Sequence, residues 1–294
     1  MKLINPSVER WQCGYTLPEI WSHIARCCRV CYQSTPRNNG ETDEEFVKRV
    51  ILRNHSLEEI GNNRELQLKL HLSVLEHGTV YLKIDSPTHY VDFNALIEKY
   101  LSNEYSKVKH TSKTDYITTN MRVLVENGWT KDLQFICAPT EYHYLRTTLN
   151  FITDIGVARE LDRHRSHSIS EESTRFVNYS KDKFGGELTF IIPIWVNTKC
   201  PNKENEGPSS ADLEWSTAML NAEASYMNLL KMGWKPQQAR QVLPLSTKVQ
   251  TVHTAFNKDW DEFIKLRAKA CSGTVHPNMQ YIALDIEKNV YNNN

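Results

Sequence analysis

Net charge is the first thing this chain lacks. Its 294 residues carry 35 lysines and arginines against 35 aspartates and glutamates, a formal charge of zero with histidines neutral. Bulk attraction to nucleic acid or to a membrane surface is therefore not indicated, although a local basic pocket remains open. Long apolar runs are missing too: nothing approaches the ~20 residues needed to span a bilayer, and no charged-then-apolar export signal opens the chain. The seven cysteines are an odd number, and Cys27, Cys28 and Cys31 crowd together. Without an export signal they read as reduced thiols in a cytoplasmic protein. Cys28-Arg29-Val30-Cys31 has CxxC spacing, but no second ligand pair follows at a finger-like distance, so structural cysteines are expected. The length allows one large domain or two small ones. We read a single catalytic domain over 1–294.

What is present is concentrated in one stretch. Arg163-His164-Arg165-Ser166-His167-Ser168-Ile169-Ser170-Glu171-Glu172-Ser173-Thr174-Arg175 sets three arginines, two histidines and two carboxylates among hydroxyl side chains. Apolar Leu149, Phe151 and Ile152 precede it, followed by Asp154, Gly156, Val157 and Leu161. The pattern predicts a short strand, a turn at Asp154, and a short helix whose basic end is Arg163-His164-Arg165, where cations suit the helix dipole. The serine-rich run should then leave the helix, because serine competes for backbone hydrogen bonds. Arginine stays charged and offers phosphate or carboxylate a planar fork of donors. Arginines at both ends with hydroxyls between suit a phosphorylated ligand. Composition equally allows a solvated face in which Glu160 and Asp162 pair with the arginines.

The remaining chain gives mostly architecture. Residues 1–70 read as helical and loop-like, with a turn at Asn38-Asn39-Gly40 and helical spacing from Glu41 to Arg53. His71 to His77 reads as a helix end stopped by Gly78, and Thr79 to Ile84 as a strand. A Glu76-His77 pair at that corner is open to a ligand or to a structural contact. Around 102–113 the chain is polar and lysine-rich, and Tyr116 to Arg122 resumes as a strand running into a helix. Asn120 and Arg122 there are open to either role. Leu188 to Pro193 reads as a strand, and Asn197 to Ala211 as a polar loop. Asp212 to Met232 reads as an amphipathic helix with Leu213, Met219, Leu220, Ala224, Met227 and Leu230 on its apolar face. Pro236 to Leu245 reads as a helix with proline in its first turn, and Asp259 to Arg267 as another. The closing Asn292-Asn293-Asn294 is expected to be disordered.

Arg163-His164-Arg165, seven residues, then Ser173, with Arg175 two beyond, resembles the signature of the flavin-dependent thymidylate synthases. Two further stretches agree in order. Leu75-Glu76-His77 followed by Thr79 is similar to the family's second motif. Ala239-Arg240-Gln241-Val242-Leu243-Pro244, then Phe263-Ile264-Lys265-Leu266-Arg267, is similar to its late arginine runs. Arg29-Val30-Cys31-Tyr32 and His276-Pro277-Asn278-Met279 resemble elements at its two ends. The resemblance spans about 70–285, with a stretch at about 85–138 that compact members lack.

The resemblance implies an α+β fold with a largely antiparallel sheet flanked by helices. It implies conversion of dUMP to dTMP, with carbon from methylenetetrahydrofolate and electrons from NADPH relayed by FAD. It also implies a homotetramer with shared active sites, and no membrane or nucleic-acid partner. Residue by residue, His77, Thr79, Arg163, His164, Arg165, Glu171 and Glu262 are implied at the cofactor. Glu160, Arg163, Glu171, Glu172, Ser173, Thr174, Arg175 and Arg240 are implied at dUMP. Arg267 is implied at the pyrimidine, stabilising negative charge that develops as N3 is deprotonated. Ser173 is read as a ligand-binding hydroxyl over a nucleophile, since no activating base is demanded by the sequence. None of the cysteines stands in the Pro-Cys-His context of the other thymidylate synthase class. Glu160, Phe256 and Glu262 depart from the residues common in compact members. Two rival readings stay open: a flavoenzyme methylating another pyrimidine nucleotide, and a non-catalytic RNA-binding protein that uses Arg163–Arg175 and nearby tyrosines.

Overall fold

The computed structural model describes residues 1–34, 40–85, 91–181, 185–198, 207–271 and 273–291. Two strands missing from the sequence reading open the chain, β1 (Lys2–Ile4) and β2 (Ser7–Trp11). Helix α1 (Leu17–Tyr32) follows, started by a Thr16/Glu19 capping box with Pro18 in its first turn. Its Ile20, Trp21, Ile24, Ala25, Cys27 and Cys28 are all buried, the spacing of one helical stripe. Burial pushes the Cys28 thiol up to about 12 and raises Cys31 as well, so both are core thiols. Helices α2 (Asp43–Val50), α3 (Leu57–Gly61) and α4 (Arg64–Lys69) come next. Asn38 and Asn39 lie outside the described residues, while Gly40 has a φ of 78° that suits the expected turn.

A 3₁₀ turn over Leu72–His77, stopped at Gly78, leads into β3 (Thr79–Asp85). The 85–138 stretch then supplies α5 (Val91–Leu101), β4 (Lys107–His110), β5 (Thr114–Asn120) and α6 (Met121–Glu126). Strands β3, β5 and β4 form an antiparallel sheet in that order, with β4 at an edge. Asn120 is buried and its Oδ1 accepts from Val123 N, capping α6, and Arg122 pairs with Glu76 and Glu126. Both residues therefore have structural roles here.

The second sheet organises the site. It joins β2, β6 (Arg146–Asp154), β9 (Lys248–Phe256) and β7 (Ser168–Glu171) in the order β2-β6-β9-β7, every pair antiparallel. Helix α7 (Ile155–Leu161) leaves the end of β6, and β8 (Thr189–Ile191) runs parallel to β1. Helices α8 (Ser210–Lys231), α9 (Pro236–Ala239), α10 (Asn257–Arg267) and α11 (Pro277–Tyr291) complete the chain. The α+β expectation of largely antiparallel sheets flanked by helices is what the structure shows. On α8 the expected apolar face is only partly used: Met219 and Tyr226 are buried, whereas Leu213 and Leu220 are exposed. No helix among the described residues is long and apolar enough to cross a membrane. Residues 199–206 of the expected polar loop, and Asn292-Asn293-Asn294, lie outside the described residues.

Candidate functional site

Asp154 fixes the geometry. It ends β6 and caps α7, its Oδ1 accepting from Val157 N at 2.8 Å, while its Oδ2 accepts from Asn278 Nδ2 at 3.2 Å. The strand is nine residues long rather than short, and α7 stops at Leu161 with Asp162 as its C-cap. Arg163-His164-Arg165 therefore lie in the turns beyond the helix, held by His164 N to Leu161 O and His167 N to His164 O, each 3.0 Å. The serine-rich run leaves the helix as expected and becomes β7.

Three cavities surround this junction. The first, about 390 Å³, is lined by Arg159, Glu171, Thr174, Arg240 and Val249. Arg240 Nη1 donates to Thr174 Oγ1 at 3.0 Å. The Glu171 Oε2 is buried without a hydrogen-bond partner. Burial, then the nearby Asp162 and Glu172 carboxylates, pushes Glu171 up to about 7, so it is half protonated at neutral pH. A second cavity, about 430 Å³, shares Arg159 and Leu245 with the first and is further walled by Glu160, Trp195, His276 and Asn278. Here Glu160 Oε2 holds Arg267 Nη1 at 2.9 Å, and Arg267 Nε donates to His164 Nε2 at 3.2 Å. Burial, then the Arg267 guanidinium beside it, brings the His164 imidazole down to about 4, so it is a neutral acceptor. The third cavity, about 350 Å³, contains Arg165, Ser166, His167, Arg146, Lys107 and Phe256 in its wall.

The structure thus brings together Glu160, His164 and Arg267 in one cluster, and Glu171, Thr174 and Arg240 in the cavity next to it. Other expected residues lie elsewhere. His77 is wholly buried, Nδ1 bonded to Thr254 Oγ1 at 2.8 Å and Nε2 to Ser170 Oγ at 3.0 Å. Thr79 is buried and accepts from Arg146 Nη1 at 3.2 Å. Both side chains are hydrogen-bonded inside the fold of this chain. The residues of that turn facing solvent are His71 and Ser73. Glu172 is likewise sealed in, its Oε2 paired with Lys248 Nζ at 2.7 Å and its Oε1 accepting from Tyr179 at 3.1 Å. Arg163, Arg175 and Glu262 are exposed, and with Ser173 they line none of the three cavities. Two arginines in the walls were missed by the sequence reading, Arg159 and Arg146. Arg159 was legible in principle, since it stands one helical turn before Arg163; Arg146 sits in no motif.

A sequence model of the thymidylate synthase complementing protein family matches residues 96–292. The chain belongs to this family, that of the flavin-dependent thymidylate synthases. The matched segment contains the Arg163–Arg175 stretch, Arg240 and Arg267, whereas the Glu76-His77 turn lies before it. Two solved structures of a UMP/dUMP methylase, PolB from Streptomyces cacaoi, also resemble this family member; one is bound with 5-Br UMP, the other with 5-Br dUMP. They are 17% and 16% identical, cover 98% of this chain and 90% and 91% of their own, and both give a TM-score of 0.42. No curated protein matches the chain.

Proposed function

We propose that the chain is a flavin-dependent thymidylate synthase. It would methylate dUMP with carbon from methylenetetrahydrofolate and electrons from NADPH through FAD, as a cytoplasmic homotetramer whose sites are shared between subunits. The observation that carries this reading is the contiguity of two walls: a cationic cavity with Arg159, Arg240 and Thr174, and next to it the Glu160–Arg267–His164 cluster. The first suits a phosphate, since two guanidinium forks and a hydroxyl converge there. The second suits a pyrimidine ring, where Arg267 would stabilise charge developing at N3. Arg165, and with it His164 and Arg163, would hold FAD, which supplies hydride transfer when bound while the protein supplies orientation and electrostatics. Ser173, Arg175 and Glu262, which line none of the three cavities described above, would serve a neighbouring subunit's site. Zero net charge argues against the RNA-binding reading.

The purified protein should take up FAD, and the flavin absorption band should shift on titration with dUMP. A folded protein that takes up no flavin would sink the mechanism. A second reading, methylation of another pyrimidine nucleotide, has its own observation: Glu160, tied to Arg267, replaces a residue common in compact members. UMP displacing dUMP at comparable concentration would favour that second reading.

Glu171 gives a pH test of the phosphate cavity. Its ionised carboxylate repels a phosphate and its protonated form does not. Raising the pH from 6 to 8 should therefore weaken dUMP binding in the native protein relative to Glu171→Gln, in which the repulsion is absent throughout. The comparison between the two proteins removes the phosphate's own titration near pH ~6. Parallel pH profiles from calorimetric titrations would remove Glu171 from the site.

A further inference from the structure

The second cavity has an aromatic wall that the Glu160–Arg267–His164 cluster does not account for. Trp195 and His276 both line it, their ring centres 5.7 Å apart and their planes at 68°. Trp195 is 58% exposed, a large apolar ring left in a concave wall instead of the core. Leaving such a ring open forgoes much of the stabilisation that its burial would give. Neither residue sits on a loose segment. A turn closes around Trp195, with Val196 N donating to Pro193 O at 2.9 Å. His276 stands where α11 begins, between the buried Val275 on one side and the buried Asn278 and Met279 on the other.

Asn278 holds this wall together. Its Oδ1 accepts from Ile194 N at 3.1 Å, and its Nδ2 donates to Asp154 Oδ2 at 3.2 Å. Asp154 caps α7, the helix that carries Arg159 and Glu160. One buried amide therefore ties the Trp195 turn and the start of α11 to the start of α7. The polar part of the wall is Glu160, paired with Arg267, and Arg159, which this cavity shares with the first. An apolar ring face, a few fixed polar groups and a cationic cavity next door are what a heteroaromatic ring carrying a phosphate needs.

We propose that Trp195 and His276 form the surface against which the pyrimidine of the nucleotide stacks, with Asn278 as the positioning residue that keeps that surface beside Glu160 and Arg159. The inference rests on the dUMP reading above and adds the residues that grip the base. Native protein, Trp195→Ala, Trp195→Phe and His276→Ala would be titrated calorimetrically with dUMP. Deoxyribose 5-phosphate, which keeps the phosphate and lacks the base, would be tested by its effect on Tm, and size-exclusion chromatography would follow the assembly. Trp195→Ala should bind dUMP about ten- to a hundredfold more weakly. Trp195→Phe should recover most of that loss, and His276→Ala, which removes only the ring set edge-on to Trp195, should lose about threefold. Deoxyribose 5-phosphate should raise Tm equally in all four proteins. Unchanged dUMP affinity in Trp195→Ala would overturn the proposal. So would an equal loss for the base-free phosphate, or a change in assembly size, either of which marks a structural or subunit-contact role. If native protein binds UMP or dCMP in place of dUMP, the dUMP reading fails while the same variants, titrated with that nucleotide, still judge the stacking surface. Should Trp195→Ala not fold, Trp195→Leu, apolar but without a ring face, carries the test.

Discussion

Arg267→Ala should lower kcat/KM for dUMP by about 10²- to 10³-fold while leaving a folded protein that binds flavin. The size is that of removing one preorganised donor from a developing anion. The structural contribution of Arg267 is smaller. It ends α10, is partly exposed, and pairs with a partly exposed Glu160 at 2.9 Å, a type of ion pair worth about 1 kcal/mol or less. Its second contact, Nε to a neutral His164 at 3.2 Å, is a single hydrogen bond. Neither loss should unfold the domain. Arg267→Lys should fall between, because an ammonium keeps the charge but not the fork that spans Glu160 and His164. Measured by single-turnover dTMP formation with thermal melts alongside, a variant within threefold of native activity would remove Arg267 from the chemistry.

The part of this cluster legible in the sequence is the part encoded by local rules. Asp154 three residues before Val157 is a cap signature, and the cap is there at 2.8 Å. Proline in the first turn of α9 and Gly78 after the 3₁₀ turn marked their boundaries equally well. Long-range facts were not legible. Strands β1 and β2 are three and five residues long, and β2 mixes charge with apolar residues. They pair with residues well over a hundred positions away, where no local pattern signals them. The two neighbouring carboxylates at the end of β7 show the same limit. Glu171 lines the cavity that holds Arg240 and Thr174, and Glu172 is tied to Lys248, as strand alternation demands. A motif match carried both to the ligand. The burial of His77 was not legible for a related reason: its motif marks the turn, but the strands packed over that turn decide which side chains it buries. Arg146 had no signal because its meaning lies in what surrounds it.

Mild acid should unfold this protein at a pH where most carboxylates are still ionised. Burial brings His23 down to about 4 and His167 to about 3, and holds His77 and His253 well below the ordinary value of 6.5. Their hydrogen-bond partners include hydroxyls and one another's rings, with the Asp162 carboxylate 3.9 Å from His253 Nε2. His167 Nδ1 meets His253 Nδ1 at 3.3 Å, so one must lack a proton. His77, Thr254, Thr148 and His23 form one hydroxyl–imidazole chain through the second sheet. A histidine whose folded value is depressed binds fewer protons folded than unfolded between its two values. Stability is then level above about 6.5 and falls as the pH drops through the window to 4 or 3. At pH 5 each such group costs about 2 kcal/mol, at ~1.4 kcal/mol per pH unit. Two alone approach the lower end of the ~5–15 kcal/mol that holds a domain together. Glu171, Asp162 and Asp259 work in the opposite direction: their raised values add stability as the pH falls, but the depressed histidines, with His143 and His164 among them, outnumber them. The capping carboxylates Glu19, Glu45, Glu59 and Asp212 are held below their usual range, so their loss comes only at lower pH. Circular dichroism against urea should therefore show a transition midpoint that is flat above pH 7 and drops steeply between 6.5 and 5. A midpoint unchanged down to pH 5 would mean that the buried rings are already charged, or already paired, in the folded protein.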